Sequence, residues 1–124
     1  MVRAHPILVV EDDELIRDSL VEYLDEQGYQ AQGAVDGVDA LDKLRRGNAL
    51  PCVIVLDLMM PNMDGRAFRQ EQLRDAKLAP IPVVVLSAYR DVAKNAADLA
   101  VEHYLAKPLK LAALLELVQK HCPA

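Results

Sequence analysis

A small set of polar side chains in this chain shares one kind of position, because each comes directly after an apolar segment. The members are Glu11, Asp12 and Asp13 after the first segment, Asp57 after the third, Ser87 after the fourth and Lys107 after the fifth. Two carboxylates about 4 Å apart repel each other by roughly 4 kcal/mol at an effective dielectric near 20. Such a cluster must therefore raise a pKa or bind a cation.

This combination of groups predicts phosphoryl transfer. Hard carboxylate oxygens suit Mg²⁺, which takes one or two carboxylates, keeps several waters and accepts phosphate oxygens. A carboxylate beside Mg²⁺ and an amine can attack phosphorus and form an acyl phosphate. Asp57 is the predicted nucleophile, and Ser87 and Lys107 are predicted to donate hydrogen bonds to the phosphoryl oxygens.

Each of these features also has an ordinary structural explanation. An acidic run such as residues 11–14 is favoured at the start of a helix by the helix dipole. A serine such as Ser87 is common in loops, and Lys107 followed by Pro108 marks little more than the end of a strand. Asp57, at the end of a buried apolar run, is the hardest to explain in this way. The occurrence of all four features at strand ends favours a shared site.

Five segments of the chain are predicted strands: residues 7–10, 29–34, 52–56, 83–86 and 102–105. The first, third and fourth are continuously apolar, which indicates strands buried on both faces of a parallel sheet. The second alternates glutamines with small residues, so we expect it at an edge of the sheet. The carboxyl ends of parallel strands meet at one edge, where the polar groups described above should converge.

A predicted helix follows each strand, and each helix carries an apolar stripe. The first stripe includes Ile16, the second Val38 and the last Leu111, while the third and fourth helices cover residues 66–74 and 91–99. Strands that alternate with helices form right-handed βαβ units. The predicted fold class is therefore α/β, with a doubly wound five-stranded parallel sheet and helices on both faces.

Length and composition limit the remaining possibilities. The 124 residues suit a single domain, and a net charge of −5 argues against direct nucleic-acid binding, which needs a basic face. No apolar stretch approaches the roughly 20 residues of a membrane span. The N-terminus lacks a secretory signal, so a cytoplasmic location is expected. Cys52 and Cys122 are accordingly expected to be free packing thiols rather than a disulfide.

Four motifs stand at the positions described above: the acidic run after residue 10, the segment 57–65 beginning with Asp57, the segment 85–88 around Ser87, and the segment 104–108 containing Lys107. With these motifs, residues 5–122 resemble the receiver domain of two-component response regulators. The resemblance implies the flavodoxin-like strand order 2-1-3-4-5. We expect residues 1–124 to form a single receiver domain with no output domain.

The resemblance implies specific roles at the acidic end of the sheet. Asp57 would accept a phosphoryl group from a phosphohistidine on a sensor histidine kinase or a histidine phosphotransfer protein. The implied Mg²⁺ ligands are Asp12, Asp57, the backbone carbonyl of Met59 and, through a water molecule, Glu11. Whether Asp13 shares the ligand role is open.

The resemblance also implies how the phosphorylated state is signalled. Ser87 and Lys107 would bind phosphoryl oxygens, and the peptide bond before Pro108 would be cis. Tyr104 would be the switch residue, turning inward as Ser87 moves toward the phosphate. We expect the fourth helix, the fifth strand and the last helix to form a surface that controls a downstream target protein. His121 either belongs to that surface or is a solvated flank.

Two bulky side chains are predicted to set the lifetime of the phosphorylated state. Met59 and Tyr89 stand two residues past Asp57 and Ser87, and neither is a general base. We expect them to hinder the attacking water, so that hydrolysis is slow.

Several alternatives to a free-standing switch are open. The chain is either a natural single-domain protein or a receiver domain cut from a hybrid kinase or larger regulator. An aspartate-nucleophile phosphatase of the haloacid-dehalogenase type needs a second acid two residues after its nucleophile, where this chain has Met59. A pseudo-receiver would lack the aspartate or the lysine, and both are present. The chain is not expected to be an enzyme beyond catalysing its own phosphorylation and dephosphorylation.

Overall fold

The computed structural model describes residues 6–47, 49–58, 64–87, 92–107 and 109–122. The strands in these ranges are β1 (Pro6–Val10), β2 (Gln30–Ala34), β3 (Val53–Asp57), β4 (Val83–Ser87) and β5 (His103–Ala106). The helices are α1 (Glu14–Glu26), α2 (Gly37–Arg46), α3 (Gly65–Arg74), α4 (Val92–Asp98) and α5 (Leu111–His121). Strands and helices alternate along the chain, as the sequence predicts.

The strands form one parallel sheet in the order β2-β1-β3-β4-β5, so the predicted fold class and strand order are confirmed. Every residue of β3 and of β4 is buried, because helices cover both faces of these central strands. β2 lies at an edge and is largely exposed at its glutamines, as its alternating sequence indicates.

Two apolar cores lie on opposite faces of the sheet. Alternate residues of β1 and β3 point to opposite sides, so Leu8 and Ile54 contribute to the core beneath α2 and α3, whereas Val9 and Val55 contribute to the core beneath α1 and α5. Each fully buried aliphatic side chain contributes about 1.5–3 kcal/mol. These cores hold the strand ends, and hence the polar groups attached to them, in fixed positions.

Three side chains predicted to lie in helix cores are exposed instead. Ile16 of α1, Val38 of α2 and Leu111 of α5 are 40%, 53% and 39% exposed. All three lie in the first turn of their helices, whereas stripe residues further along, such as Leu20, Leu41 and Leu114, are buried. Periodicity predicts the angular face of a helix, but it does not predict where along the axis the sheet ends.

Cys52 and Cys122 form a disulfide bond, so the prediction of two free thiols is wrong. Their Cα atoms lie 5.7 Å apart, within the range that a disulfide spans. The bond joins the residue before β3 to the residue after α5 across a sequence separation of 70 residues. Closing a loop of this length stabilises the fold by about 4 kcal/mol in the chain-entropy model. Sequence periodicity placed both cysteines near the core, but it cannot show which core residues are neighbours.

α3 buries two polar side chains that the sequence does not identify as core residues. The guanidinium of Arg69 donates hydrogen bonds to the Leu99 carbonyl at 3.0 Å, the Ala100 carbonyl at 3.0 Å and Gln72 Oε1 at 2.8 Å. The Gln72 amide in turn donates to two backbone carbonyls in the segment before β4. Ala100 has a left-handed conformation with φ 56°, which ends α4 where Arg69 caps it. We call these contacts the Arg69–Gln72 network.

None of the helices in the described part of the chain combines the length and the apolar character that a membrane crossing requires.

Candidate functional site

The carboxyl ends of four parallel strands bring the predicted site residues to one edge of the sheet. Asp57 is the last residue of β3 and Ser87 the last of β4, while Glu11 follows β1 and Lys107 follows β5. The Lys107 backbone N–H donates to the Ser87 carbonyl at 2.9 Å, which extends the β4–β5 pairing to the site. The structure brings these four residues together, and their chemical roles remain predictions.

Three carboxylates converge at this edge. One oxygen from each of Glu11, Asp12 and Asp57 lies within 4.8 Å of the others. Glu11 and Asp57 are buried, whereas Asp12 is exposed. We call this group the acidic pocket. Asp13 is not part of it, because its side chain accepts a hydrogen bond from the Ile16 N–H at 3.0 Å and caps α1.

Lys107 supplies a positive charge to the acidic pocket. Its Nζ lies 3.2 Å from Asp57 Oδ1 and 3.7 Å from Glu11 Oε1. The lysine side chain is about one-third exposed, so it can reach the pocket while part of its stem stays in water. One ammonium group faces three carboxylates, which leaves the pocket with an excess of negative charge.

The excess charge appears in the titration of Glu11. Burial, followed by the hydrogen bond and the negative charge of the adjacent Asp57 carboxyl, raises the pKa of Glu11 from 4.5 to about 7, although the Asp13 backbone N–H and Lys107 act to lower it. Glu11 Oε2 accepts that N–H at 3.2 Å. Glu11 Oε1 is buried and has no hydrogen-bond partner among the residues that the structure describes. This orphaned oxygen is more than 3.5 Å from Lys107 Nζ, too far for a hydrogen bond.

Arg17 holds the acidic segment between β1 and α1. Its Nη1 donates to the Glu11 carbonyl at 2.9 Å and lies 3.4 Å from the Asp12 carbonyl. The arginine stem crosses β2 at Gly33, where a Cβ would lie only 2.8 Å from Arg17 Cδ. Neither Arg17 nor Gly33 is among the residues predicted from the sequence. The available signal was a lone basic side chain in an otherwise acidic first helix, one turn after the capping Asp13.

A glycine fixes the chain on the other side of Asp57. The Gly65 N–H donates to the Leu58 carbonyl at 3.0 Å. A Cβ at Gly65 would come within 2.7 Å of Leu58 Cα and 2.9 Å of the Asp57 carbonyl oxygen, so only glycine permits this approach. Asp64 caps α3 by accepting the Ala67 N–H at 2.9 Å. The first turn of α3 therefore packs directly against the residue after the predicted nucleophile.

The two predicted switch residues differ in exposure. Ser87 is buried, with 4% of its surface accessible, whereas Tyr104 of β5 is 42% exposed. Ser87 pairs with Ala106 in the β4–β5 register, and Tyr104 pairs with Val85. The exposed Tyr104 therefore lies on β5 two residues before Ala106, the residue that pairs with Ser87. The inward position of Tyr104 remains a prediction.

Three predicted contributors lie outside the described residues. They are Met59, whose carbonyl is a predicted Mg²⁺ ligand, Tyr89, a predicted determinant of hydrolysis, and Pro108, the predicted cis-proline.

The acidic pocket fits a hard divalent cation. It offers carboxylate oxygens from Glu11, Asp12 and Asp57, which Mg²⁺ prefers over nitrogen or sulfur ligands. A cation there would neutralise the excess charge and satisfy the orphaned Glu11 Oε1 directly or through water. Lys107 alone cannot neutralise three carboxylates and also form a hydrogen bond with Glu11 Oε1.

Residues 7–119 match the sequence profile of the response regulator receiver domain. The chain therefore belongs to this family, whose members act as signalling switches of two-component systems rather than as ordinary enzymes. Binding of Mg²⁺ at an acidic pocket is a general feature of the family. The resemblance predicted from the four motifs is confirmed.

Among curated proteins, the chain is similar to mycobacterial response regulators. It is 41% identical over 111 residues to response regulator MprA of Mycobacterium sp. (strain KMS) and 40% identical over 111 residues to MprA of Mycobacterium avium (strain 104). Each match covers 88% of this chain but only 46% and 47% of those proteins. The chain thus spans about half the length of these relatives.

Solved receiver structures superpose on nearly the whole chain. A response regulator receiver protein from Pseudomonas putida has a TM-score of 0.85 at 29% identity, covering 97% of this chain and 99% of that one. Response regulator TrrA from Thermotoga maritima, solved in complex with Mg²⁺-BeF, has a TM-score of 0.80 at 32% identity, covering 94% and 97%.

Proposed function

We propose that this receiver domain is a phosphoryl-accepting switch in which Asp57 is the phosphorylated residue. The observation that carries the proposal is the contact between Lys107 Nζ and Asp57 Oδ1 at 3.2 Å inside a pocket with two further carboxylates. Lys107 orients the buried Asp57 carboxylate, and the negative charge that remains in the acidic pocket favours the binding of a divalent metal. Asp12, Asp57 and Glu11 would hold Mg²⁺, which when bound neutralises charge on the phosphoryl oxygens.

The reaction transfers a phosphoryl group without a change in oxidation state. A carboxylate oxygen of Asp57 attacks the phosphorus of a phosphohistidine, a P–O bond forms, and the P–N bond breaks. The released imidazole nitrogen takes up a proton from solvent. Lys107 and the Ser87 hydroxyl donate to the phosphoryl oxygens, so that most of the catalysis is positioning and charge neutralisation.

The donor is proposed to be a sensor histidine kinase or a histidine phosphotransfer protein in the cytoplasm. The proposed output surface consists of α4, β5 and α5, with Tyr104 as the residue that reports the state of Ser87. The exposure of Tyr104 supports this assignment, because an exposed aromatic ring on the edge strand β5 is accessible to a partner protein. A change at this surface would control a downstream target protein.

One observation favours a larger regulator as a second candidate context. The curated relatives are about twice as long as the matched region, so their receiver segments are parts of longer proteins. The same phosphorylation chemistry would then control a second segment rather than a separate target. The phosphatase alternative receives no support from the comparisons.

Intact mass spectrometry after incubation with acetyl phosphate and Mg²⁺ tests the proposal. We expect one added phosphoryl group on the unchanged protein and none on Asp57→Asn. Asp18→Asn, which changes an exposed aspartate of α1, is the matched control and should be phosphorylated normally. Phosphorylation of Asp57→Asn at the normal level would refute the assignment.

A further inference from the structure

The Cys52–Cys122 pair lies at the opposite end of the sheet from the acidic pocket. Cys52 directly precedes β3, whose other end is Asp57, and Cys122 is the C-cap residue of α5. Val53, Val118 and Cys122 belong to one apolar core. The pair therefore links the strand that carries the predicted phosphorylation site to a helix of the proposed output surface.

The two cysteine residues differ in their exposure to solvent. Cys122 is fully buried, with 0% of its surface accessible, whereas Cys52 is only partly buried. An external reagent can therefore reach Cys52 first, and Cys122 reacts afterwards from within the protein. Since their Cα atoms are 5.7 Å apart, the second step needs no large backbone movement.

Two hydrogen bonds hold the end of α5 in addition to the disulfide bond. The Tyr29 hydroxyl donates to the Cys122 carbonyl at 2.9 Å, and the Cys122 N–H donates to the Val118 carbonyl at 2.8 Å. Both are ordinary hydrogen bonds that can open locally. The last turn of α5 can therefore exist in a covalently fixed state and in a state held only by reversible contacts.

We propose that Cys52 and Cys122 are a reversible redox site, which a low-molecular-weight disulfide closes and a low-molecular-weight thiol opens. A reversible disulfide is compatible with a reducing compartment, because the disulfides found in such compartments are usually transient and redox-sensing. When closed, the bond fixes the last turn of α5 to the start of β3. The redox chemistry of the two cysteines does not depend on the proposed function. The effect of the disulfide on signalling, however, rests on the proposed function.

The chemistry is thiol–disulfide exchange. The Cys52 thiolate attacks one sulfur of the small disulfide, forms a mixed disulfide and releases one small thiolate. The Cys122 thiolate then attacks Cys52 Sγ and releases the second. Two protein thiols are oxidised, one small disulfide is reduced to two thiols, and the two protein protons pass through solvent to the released thiolates.

Incubation of the unphosphorylated protein across a series of reduced and oxidised glutathione ratios, followed by acid quenching, unfolding, alkylation and intact mass measurement, tests this site. We expect two alkylated cysteines at the reducing end, none at the oxidising end, and a single reversible transition between them. Opening the bond should lower the Tm by about 15 °C. Cys52→Ser is the matched control, and its Tm should not respond to glutathione.

Three outcomes would overturn the redox site. They are cysteines that stay alkylatable at every ratio, a bond that reduced glutathione does not open, and oxidation that stops at a glutathione adduct or at a dimer between chains. A bond that never opens would mark a permanent structural disulfide instead.

Hydrogen exchange in both redox states tests what the bond controls. The Cys122 amide should exchange at least tenfold faster after reduction, whereas the Gly47 amide, which caps α2 through an equivalent bond to the Lys43 carbonyl, should change little. Equal rates at Cys122 in both states would refute the fixing of α5.

Repetition of the exchange experiment with acetyl phosphate and Mg²⁺ separates this inference from the proposed function. If phosphate adds, the phosphorylation-dependent change in α5 should be smaller in the disulfide form. An equal change in both forms would overturn the coupling. If no phosphate adds in either form, the proposed function fails while the glutathione result still decides the redox site.

Discussion

Two of the regions in which the protein buries charged groups hold those groups in different ways. In the Arg69–Gln72 network, a buried guanidinium donates to three acceptors at 2.8–3.0 Å, and burial lowers its pKa. In the acidic pocket, burial and the Asp57 carboxyl raise the pKa of Glu11 to about 7, and one Glu11 oxygen has no hydrogen-bond partner in the described part of the chain. The first set of contacts is complete, and the second is not.

This difference distinguishes a structural charge from a functional one. A buried polar group with all its partners fixes the surrounding backbone, here the end of α4 against α3. A buried carboxylate that lacks a compensating positive charge destabilises the folded state until a cation binds beside it. The acidic pocket is therefore prepared for a ligand, whereas the Arg69–Gln72 network needs none.

Between these two regions, the largest predicted effect comes from breaking the Arg69–Gln72 network. Arg69→Met removes the donors to the Leu99 and Ala100 carbonyls and to Gln72 Oε1. We expect the free energy of unfolding to fall by about 3 kcal/mol, because buried acceptors are left unpaired. Urea denaturation measures this loss. Arg45→Met, which removes a half-exposed arginine paired with Asp75 at 3.4 Å, should cost far less. Equal losses in the two variants would contradict the conclusion that the buried contacts of Arg69 stabilise the fold more than the half-exposed Arg45 does.

A smaller effect is predicted from the pH dependence of the incomplete region. Because the pKa of Glu11 is about 7 when folded and 4.5 ordinarily, the folded state keeps a proton between these pH values that the unfolded state has lost. Without Mg²⁺, the free energy of unfolding should therefore fall as the pH rises through this window, by roughly 1.4 kcal/mol per pH unit.

Two controls accompany the pH measurement. Glu11→Gln removes the titrating group and should remove most of this slope. Addition of Mg²⁺ to the unchanged protein should also reduce the slope, since a cation favours the charged carboxylate. A stability that rises with pH over the same window would show that Glu11 does not carry an unfavourable charge.

The next prediction concerns the residue that positions the acidic pocket. Arg17→Met removes the donor to the Glu11 carbonyl and keeps most of the stem that crosses Gly33. We expect the affinity for Mg²⁺ to fall about tenfold, as is typical when a residue that orients metal ligands is removed. Isothermal titration calorimetry measures this affinity. Lys120→Met, which changes an exposed cation of α5, should leave it unchanged. An unaltered affinity in Arg17→Met would mean that the acidic segment holds its shape without the arginine.

The smallest predicted effect is at an exposed ion pair. Arg46 Nη2 lies 2.6 Å from Asp42 Oδ2, but the two side chains are 70% and 53% exposed. Arg46→Gln should change the free energy of unfolding by no more than about 0.5 kcal/mol, because water screens such pairs. Thermal and urea denaturation should agree on this value. A loss as large as that of Arg69→Met would show that burial does not determine how much a charged side chain contributes to the free energy of unfolding in this protein.

The sequence predicted the sheet well because its central strands follow a simple physical rule. β3 and β4 are continuously apolar, which only a strand covered on both faces can satisfy, and their carboxyl ends carry Asp57 and Ser87. The errors fall where contacts join distant parts of the chain. Val38 was assigned to a core that does not extend to it, and Cys52 was assigned a free thiol although Cys122 lies beside it.

The amino-acid sequence by itself determined the family, the order of strands and helices, and which residues stand at the strand ends, because these depend on local patterns of apolar and polar residues. The tertiary structure alone decided the pairing of the cysteines, the burial of Arg69 and the slot that Gly33 provides for Arg17. These depend on distances between elements far apart in the chain, which no local pattern encodes.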